Sequence, residues 1–280
     1  MTDVRKRIAS ARGFIFDMDG TIALGDHASG GHRALPGAVD LIATLRRRGT
    51  PFRIFTNGSA KAPHLYAASL RKAGFDIADE EMMTPSTVAA AWFASRGLSR
   101  VRVLGDPGVE QPLAAAGLDV VAATEPAEGV QAVYSAWYRG FGFEALELAC
   151  RDIWAGASLA TASHVPFFAA AGGRAIGSSY AINAMLKSLT GKRATIVGKP
   201  SSVSFHHAVR AMGLPRSAAS EIVVVGDDAA LETRMANAAC AVSIGVATGL
   251  NSLDYWRALP DRDRPLLAVE KAADLISMLG

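Results

Sequence analysis

Phe14-Ile15-Phe16-Asp17-Met18-Asp19-Gly20-Thr21 is the stretch from which this 280-residue chain is best read. A short apolar run ending on two carboxylates reads as a buried strand that delivers acids to its carboxyl end, where open α/β sheets gather their ligands. Alternation along an extended chain could aim both acids to one side, with Gly20 breaking that geometry as the strand ends. One such carboxylate can attack phosphorus, and a second within reach can protonate a leaving oxygen and later deprotonate water. Two like charges this close call for a cation, and Mg²⁺ prefers carboxylate, carbonyl and phosphate oxygens. An isolated Asp-x-Asp is commonly a solvated turn; the preceding strand and the following Gly-Thr are what give this one weight.

Working outward, short apolar runs alternate with segments of helical periodicity, which predicts a parallel sheet wrapped by helices. After the strand at 14–16 come a helix at 36–48 with Leu41, Ile42 and Leu45 on one face, a strand at 52–55, and a helix at 60–73 stopped by Gly74. The pattern starts afresh near Pro85, with helices at 86–96, 110–116 and 143–154 and strands at 101–104, 130–134 and 158–161, enough for an α/β unit of its own. A helix at 201–212, a strand at 222–225, a helix near 229–239, strands at 241–244 and 266–269 and a closing helix at 271–279 complete the reading.

Three further segments put reactive groups at expected strand or helix ends. Phe55-Thr56-Asn57-Gly58-Ser59 offers a hydroxyl and a run of backbone amides that can bind phosphate oxygens, or equally well a cap for the next helix. Val197-Gly198-Lys199-Pro200 places a lysine in a turn before a helix that Ser201 or Ser202 could cap; such a lysine can neutralise an anion or be merely solvated. Val223-Val224-Val225-Gly226-Asp227-Asp228 ends a very apolar strand on two acids, which are costly to desolvate without a cation or a positive partner.

Bulk properties agree with a globular protein of one large or two moderate domains, half of its residues being hydrophobic and a fifth charged. A formal net charge of +3 with scattered basic residues argues against a nucleic-acid partner, and no stretch is long and apolar enough to span a bilayer. Cys150 and Cys240 are far apart in sequence and read as two reduced, buried thiols, consistent with a cytoplasmic protein.

Taken together, the four segments resemble the motifs of the haloacid dehalogenase superfamily. The resemblance implies a Rossmann-like α/β core with a parallel sheet flanked by helices, and Mg²⁺-dependent hydrolysis of a small phosphomonoester. It assigns Asp17 as nucleophile, Asp19 as general acid/base and Lys199 as the third catalytic group. Mg²⁺ would be held by the carboxylates of Asp17 and Asp227 and the backbone carbonyl of Asp19. Thr56 would bind the phosphoryl group with Asn57 and Gly58 beside it. Where the family commonly places a second Asp five residues after Asp227, this chain has Glu232. Glu232 is expected to bind Mg²⁺ through water, to reposition Asp227, or to occupy a helix surface, and Asp228 to hold water or cap.

The long interval between Thr56 and Lys199 resembles the type IIA branch, which is NagD-like and p-nitrophenylphosphatase-like and carries a smaller inserted α/β cap domain there. The expected division is a catalytic core at 1–83 and 193–280 and a specificity cap at 84–192, with a homodimer formed through the cap as a further expectation. Where the branch commonly has Thr-Asn-Pro-Asp, this chain reads Thr161-Ala162-Ser163-His164-Val165-Pro166. The change offers Ser163, His164 and the pair Phe167-Phe168 as substrate contacts or as ordinary fold contacts, and Arg174 and Trp137, Tyr138 and Arg139 take the same double reading as substrate or solvent contacts. His27, His32 and Arg33 fall in the loop after the first motif, a flap in this family, where they could touch substrate or be ordinary exposed loop residues; their spacing does not make a zinc site.

Competing activities fit less well. A dehalogenase would need neither Asp19 nor Mg²⁺, a phosphonatase is disfavoured by Asp19, and a phosphomutase would carry a helical cap earlier in the chain. A non-catalytic module that binds phosphorylated metabolites should have lost a chemical group, yet Asp17, Asp19, Lys199 and Asp227 are all present. A nicotinamide-binding reading lacks Gly-x-Gly-x-x-Gly after the first strand.

Overall fold

A computed structural model describes residues 2–26, 31–170, 173–249 and 251–279. They form two compact units. The flanking unit holds residues 1–56, 63–83 and 199–280, and the insert holds 57–62 and 84–198. In chain order the first strands are β1 (Gly13–Phe16), β2 (Ala23–Asp26), β3 (Gly31–Ala34), β4 (Phe52–Phe55) and β5 (Met82–Met83). The insert follows with β6 (Arg100–Leu104), β7 (Asp119–Val121), β8 (Ala132–Ser135), β9 (Ser158–Thr161), β10 (Phe167–Ala170), β11 (Gly173–Ile176) and β12 (Thr195–Ile196). The chain then returns with β13 (Ile222–Gly226), β14 (Val242–Val246) and β15 (Leu267–Val269).

The sheet of the flanking unit runs β15-β14-β13-β1-β4-β5, and every pairing in it is parallel. Strand order reverses between β1 and β13, so the crevice outside their carboxyl ends is the topological switch point of the sheet. Every residue of β1 and β13 is buried, as the apolar runs predict for strands covered on both faces. Phe14, Phe16, Val223 and Val225 pack with Leu41, Ile42 and Leu45 of the helix Ala38–Arg47, the three positions read as its inner face.

The insert has its own parallel sheet, β12-β9-β8-β6-β7, with a separate core around Leu104, Val133, Leu146, Ile153 and Leu186. Parallel sheets flanked by helices are therefore the architecture of both units. The sequence-based division puts residues 193–198 with the flanking unit. In the structure Thr195 and Ile196 pair with Ala160 and Thr161 of β9, which draws the segment as far as Gly198 into the insert.

Other departures are local. The expected flap loop after the first motif contains an antiparallel pair, β2 with β3, and His27 lies outside the described residues. The helix Ser178–Thr190 is absent from the sequence reading. Residues 229–233 form a π-helical turn that leads into Arg234–Ala238, and the closing segment Ala272–Met278 is 3₁₀ rather than α-helical. Cys150 is buried, but Cys240 is exposed; both are free thiols.

Candidate active site

Asp17 follows β1 and Asp227 follows β13, and the register Phe16↔Val225 sets the two strand ends side by side. The Asp17 amide donates to the Val225 carbonyl at 2.9 Å, which prolongs the ladder by one residue and fixes where the carboxylate emerges. Both acids are buried, at 7% and 6% exposure. The Thr21 hydroxyl donates to Asp17 Oδ2 at 3.2 Å, and the Lys199 ammonium pairs with Asp17 Oδ1.

Lys199 is itself buried and also reaches Glu232 Oε1 at 2.6 Å, with the Phe55 ring centroid 5.4 Å from its Nζ. Burial alone would push the lysine down, but the Asp17 and Glu232 carboxylates more than reverse this and hold it charged well above the usual lysine range. For Glu232 burial pushes the carboxyl up; Lys199 opposes the shift, and the negative charges of Asp17 and Asp227 add to it.

Glu232 does not occupy a helix surface. It is 2% exposed, and its other oxygen accepts the Asp228 amide at 3.2 Å. The π-helical turn carries it inward over Gly226, where a Cβ would collide with the Glu232 side chain. Asp228 caps that turn, accepting the Ala230 amide at 2.7 Å.

Glycine also makes room for Asp227. A Cβ on Gly20 or on Gly249 would collide with Asp227 Oδ2, and Gly20 has a φ of +80° that disfavours a side chain in any case. The Asp227 carboxylate thus lies against the backbone just after Asp19. Two further groups brace this corner: the Asn251 amide donates to the Asp227 carbonyl at 2.8 Å and the Thr248 hydroxyl to the Gly20 carbonyl at 2.7 Å.

Hard oxygen donors on neighbouring strand ends suit Mg²⁺. Among the described residues no group of three or more acidic, histidine or cysteine side chains forms a ready-made cage. Mg²⁺ does not need one, since it is usually held by one or two carboxylates with waters and substrate phosphate completing the shell. Asp17 and Asp227 with a nearby backbone carbonyl meet that requirement.

Asp19 differs from its neighbours in being open, its side chain 54% exposed. Thr56 is buried at the end of β4, its amide donating to the Met83 carbonyl at 3.2 Å. Asn57 and Gly58 fall in the insert, where Asn57 Oδ1 packs so close to Gly198 that a Cβ there would stand 2.7 Å away. His164 also lies in the insert, exposed and edge-on to Tyr180 with ring centroids 4.9 Å apart. Arg139 stacks over Trp137, and Trp137 in turn lies against Phe168. The Arg174 side chain is outside those described. The structure thus gathers Asp17, Asp19, Thr56, Lys199, Asp227 and Glu232 in one unit.

Sequence reading gives no role to Thr21, Thr248 or Asn251. Thr21 has a signal, being the last residue of the first motif; Thr248 and Asn251 sit in a loop after β14 that carries none.

Comparison with known proteins accords with this site. The sequence profile of haloacid dehalogenase-like hydrolases matches residues 14–119, and a HAD-hydrolase-like profile matches residues 196–275. Sugar-phosphatase AraL of Bacillus subtilis is 30% identical over 219 residues, covering 78% of this chain and 76% of its own length. The 5'-nucleotidase YutF of the same organism is 24% identical over 266 residues, covering 95% and 97%. The crystal structure of 4-nitrophenylphosphatase from Thermotoga maritima superposes with a TM-score of 0.84 over 98% of this chain and 99% of that one, at 24% identity, a likeness of fold. The chain belongs to the haloacid dehalogenase-like hydrolases and is a phosphatase among them.

Proposed function

We propose that this protein is a Mg²⁺-dependent phosphatase that hydrolyses a small phosphomonoester through a phosphoryl group carried on Asp17. The observation that carries the reading is the buried Asp17 carboxylate at the switch point, held by the Lys199 ammonium and the Thr21 hydroxyl beside the Asp227 strand end.

An Asp17 oxygen attacks phosphorus, an O–P bond forms, and the bond from phosphorus to the leaving oxygen breaks. Asp19, half-exposed and therefore open to a substrate, gives its proton to that oxygen. It then takes a proton from the water that attacks the aspartyl phosphate, releasing inorganic phosphate and restoring Asp17. Lys199 keeps its charge throughout and offsets negative charge on Asp17 and the transferred group. The Thr56 hydroxyl and the amides after it donate to phosphoryl oxygens. The Asp17 and Asp227 carboxylates and the Asp19 carbonyl would hold Mg²⁺, which would supply electrostatic stabilisation of charge on the phosphoryl group.

The insert serves as the cap that selects the leaving group, with His164 among its candidate contacts. The two relatives named for sugar and nucleotide phosphates leave the leaving group open. The free thiols Cys150 and Cys240 suit a cytoplasmic setting.

The test is p-nitrophenyl phosphate hydrolysis with Mg²⁺ and with EDTA, beside a screen of phosphorylated metabolites, for the wild type and Asp17→Asn. Wild type should turn over only with Mg²⁺, and Asp17→Asn should lose about 10³-fold or more while keeping its circular-dichroism spectrum. Equal activity in the variant or in the metal-free protein would refute the mechanism.

A further inference from the structure

Opposite Asp19 stands a histidine that the reaction as described does not use. His32 lies on β3, and its side chain is 7% exposed. Its Nε2 is 3.8 Å from Asp19 Oδ1, and its Nδ1 is 2.9 Å from the Ser69 hydroxyl. Ser69 and Tyr66 are three apart on the helix Pro63–Lys72, so they present to one face, and the Tyr66 ring lies beside the imidazole at 6.1 Å between centroids. The ring is therefore seated on two sides by a helix of the sheet's own unit and aimed at the acid/base carboxylate.

We propose that His32 is a positioning residue for Asp19, turning its carboxylate toward the leaving oxygen. This role takes the tautomer with its proton on Nε2, the nitrogen that faces Asp19, for which the Ser69 hydroxyl donates to Nδ1. A distance of 3.8 Å is an electrostatic contact rather than a hydrogen bond, so the ring biases the carboxylate's orientation without holding it rigidly. Such a bias suits a half-exposed group that must reach first the leaving oxygen and then water. The proton given to the leaving oxygen is that of Asp19; His32 neither gains nor loses one. This inference rests on the acid/base role of Asp19 proposed above.

Leaving-group dependence of kcat/KM separates this role from a structural one. Nitrophenolate departs with little help from an acid, whereas an alkoxide needs a proton as the bond to phosphorus breaks. His32→Ala should lower kcat/KM for an alkyl phosphate such as glycerol phosphate by about 10–100-fold while changing that for p-nitrophenyl phosphate less than about 3-fold. His32→Gln, which can keep an N–H near the Nε2 position, should recover much of the alkyl phosphate rate. Ser69→Ala should show the same bias at smaller size. A partly unfolded variant lowers both rates in proportion, so the ratio of the two substrates stays interpretable. Asp19→Asn, run alongside, should show the bias in its strongest form. An unbiased ratio in His32→Ala with a biased one in Asp19→Asn overturns the positioning role and leaves the mechanism standing. An unbiased ratio in both removes the acid/base assignment and the positioning role together.

Discussion

Lys199 in the flanking unit and Arg102 in the insert are both shut away from solvent, at 2% and 0% side-chain exposure, and they differ in the number of acids they face. Arg102 faces one carboxylate, Asp152, at 2.5 Å, and its Nη1 donates to the backbone carbonyls of Ala122 and Glu125 at 2.9 and 2.7 Å, while Nη2 is buried without a partner. Charge is balanced one for one, and the chain at 122–125 is tied to β6. Lys199 faces two carboxylates, Asp17 and Glu232, with Asp227 at the next strand end. There acids outnumber the ammonium, an arrangement that costs stability unless a further cation or an active role accompanies it. Burial of a cation is thus common to scaffold and site, and the excess of acid over base is what distinguishes the site.

The largest effect should follow from Lys199→Met. Phosphatase activity should fall by about 10²–10³-fold, the usual consequence of removing one preorganised charge from a phosphoryl site. Thermal stability should fall as well, and more at neutral than at acid pH, because the stranded carboxylates escape repulsion only by taking protons. Melting temperatures at pH 5 and pH 8 check this. A loss that is the same at both pH values would mean that the acids around Lys199 are not its electrostatic counterweight.

Next in size is Arg102→Met, which should cost about 3–5 kcal/mol in urea unfolding by leaving Asp152 buried without its partner. Replacing both, as Arg102→Met with Asp152→Leu, should restore much of that loss, short of the part belonging to the 122–125 carbonyls. No such recovery of activity is expected when Lys199→Met is combined with Asp17→Leu. A double change in the insert that stays as unstable as the single one would make Arg102 more than a balanced pair.

The contrast between these cations is unevenly legible in sequence. Asp17 and Asp227 can be placed because the apolar runs at 14–16 and 222–225 are buried on both faces, leaving their ends as the natural station for charge, whereas Lys199 is placed by the family motif it resembles. Arg102 gives no signal, since an arginine inside a β-branched strand looks like a residue of an exposed face until the neighbouring elements cover it. Glu232 escapes a helix-surface reading for a backbone reason: periodicity of 3.6 assumes an α-helix, and a π-helical turn at 229–233 rotates the inward face. Two-residue strands such as β5 and β12 exist only by virtue of their partners, so no local pattern announces them. His32 is visible as a candidate contact, but its seat on Tyr66 and Ser69 depends on a helix more than thirty residues away in sequence.

The smallest effect concerns a buried base whose neighbours are cations. His207, on the helix Ser202–Ala211, is largely buried with Nδ1 unpartnered, and burial followed by the charges of Arg210 and Arg53 pushes it down to about 4. Lys199 and His207 therefore share a unit and shift in opposite directions: burial lowers both, the contacting acids reverse it for Lys199, and the neighbouring cations add to it for His207. Folding keeps His207 neutral, whereas the unfolded chain takes up its proton near the ordinary value of about 6.5. Its contribution is complete above that pH and diminishes as the pH falls toward 4, where the unfolded chain binds a proton that the folded one refuses. The stability of the wild type should thus decline between pH 6.5 and 4 by about 1–3 kcal/mol more than that of His207→Gln. Urea unfolding of both proteins at pH 7, 5.5 and 4.5 measures the difference in slope. Parallel curves would show that neither burial nor the charges of Arg210 and Arg53 disfavour the protonated ring in the folded protein.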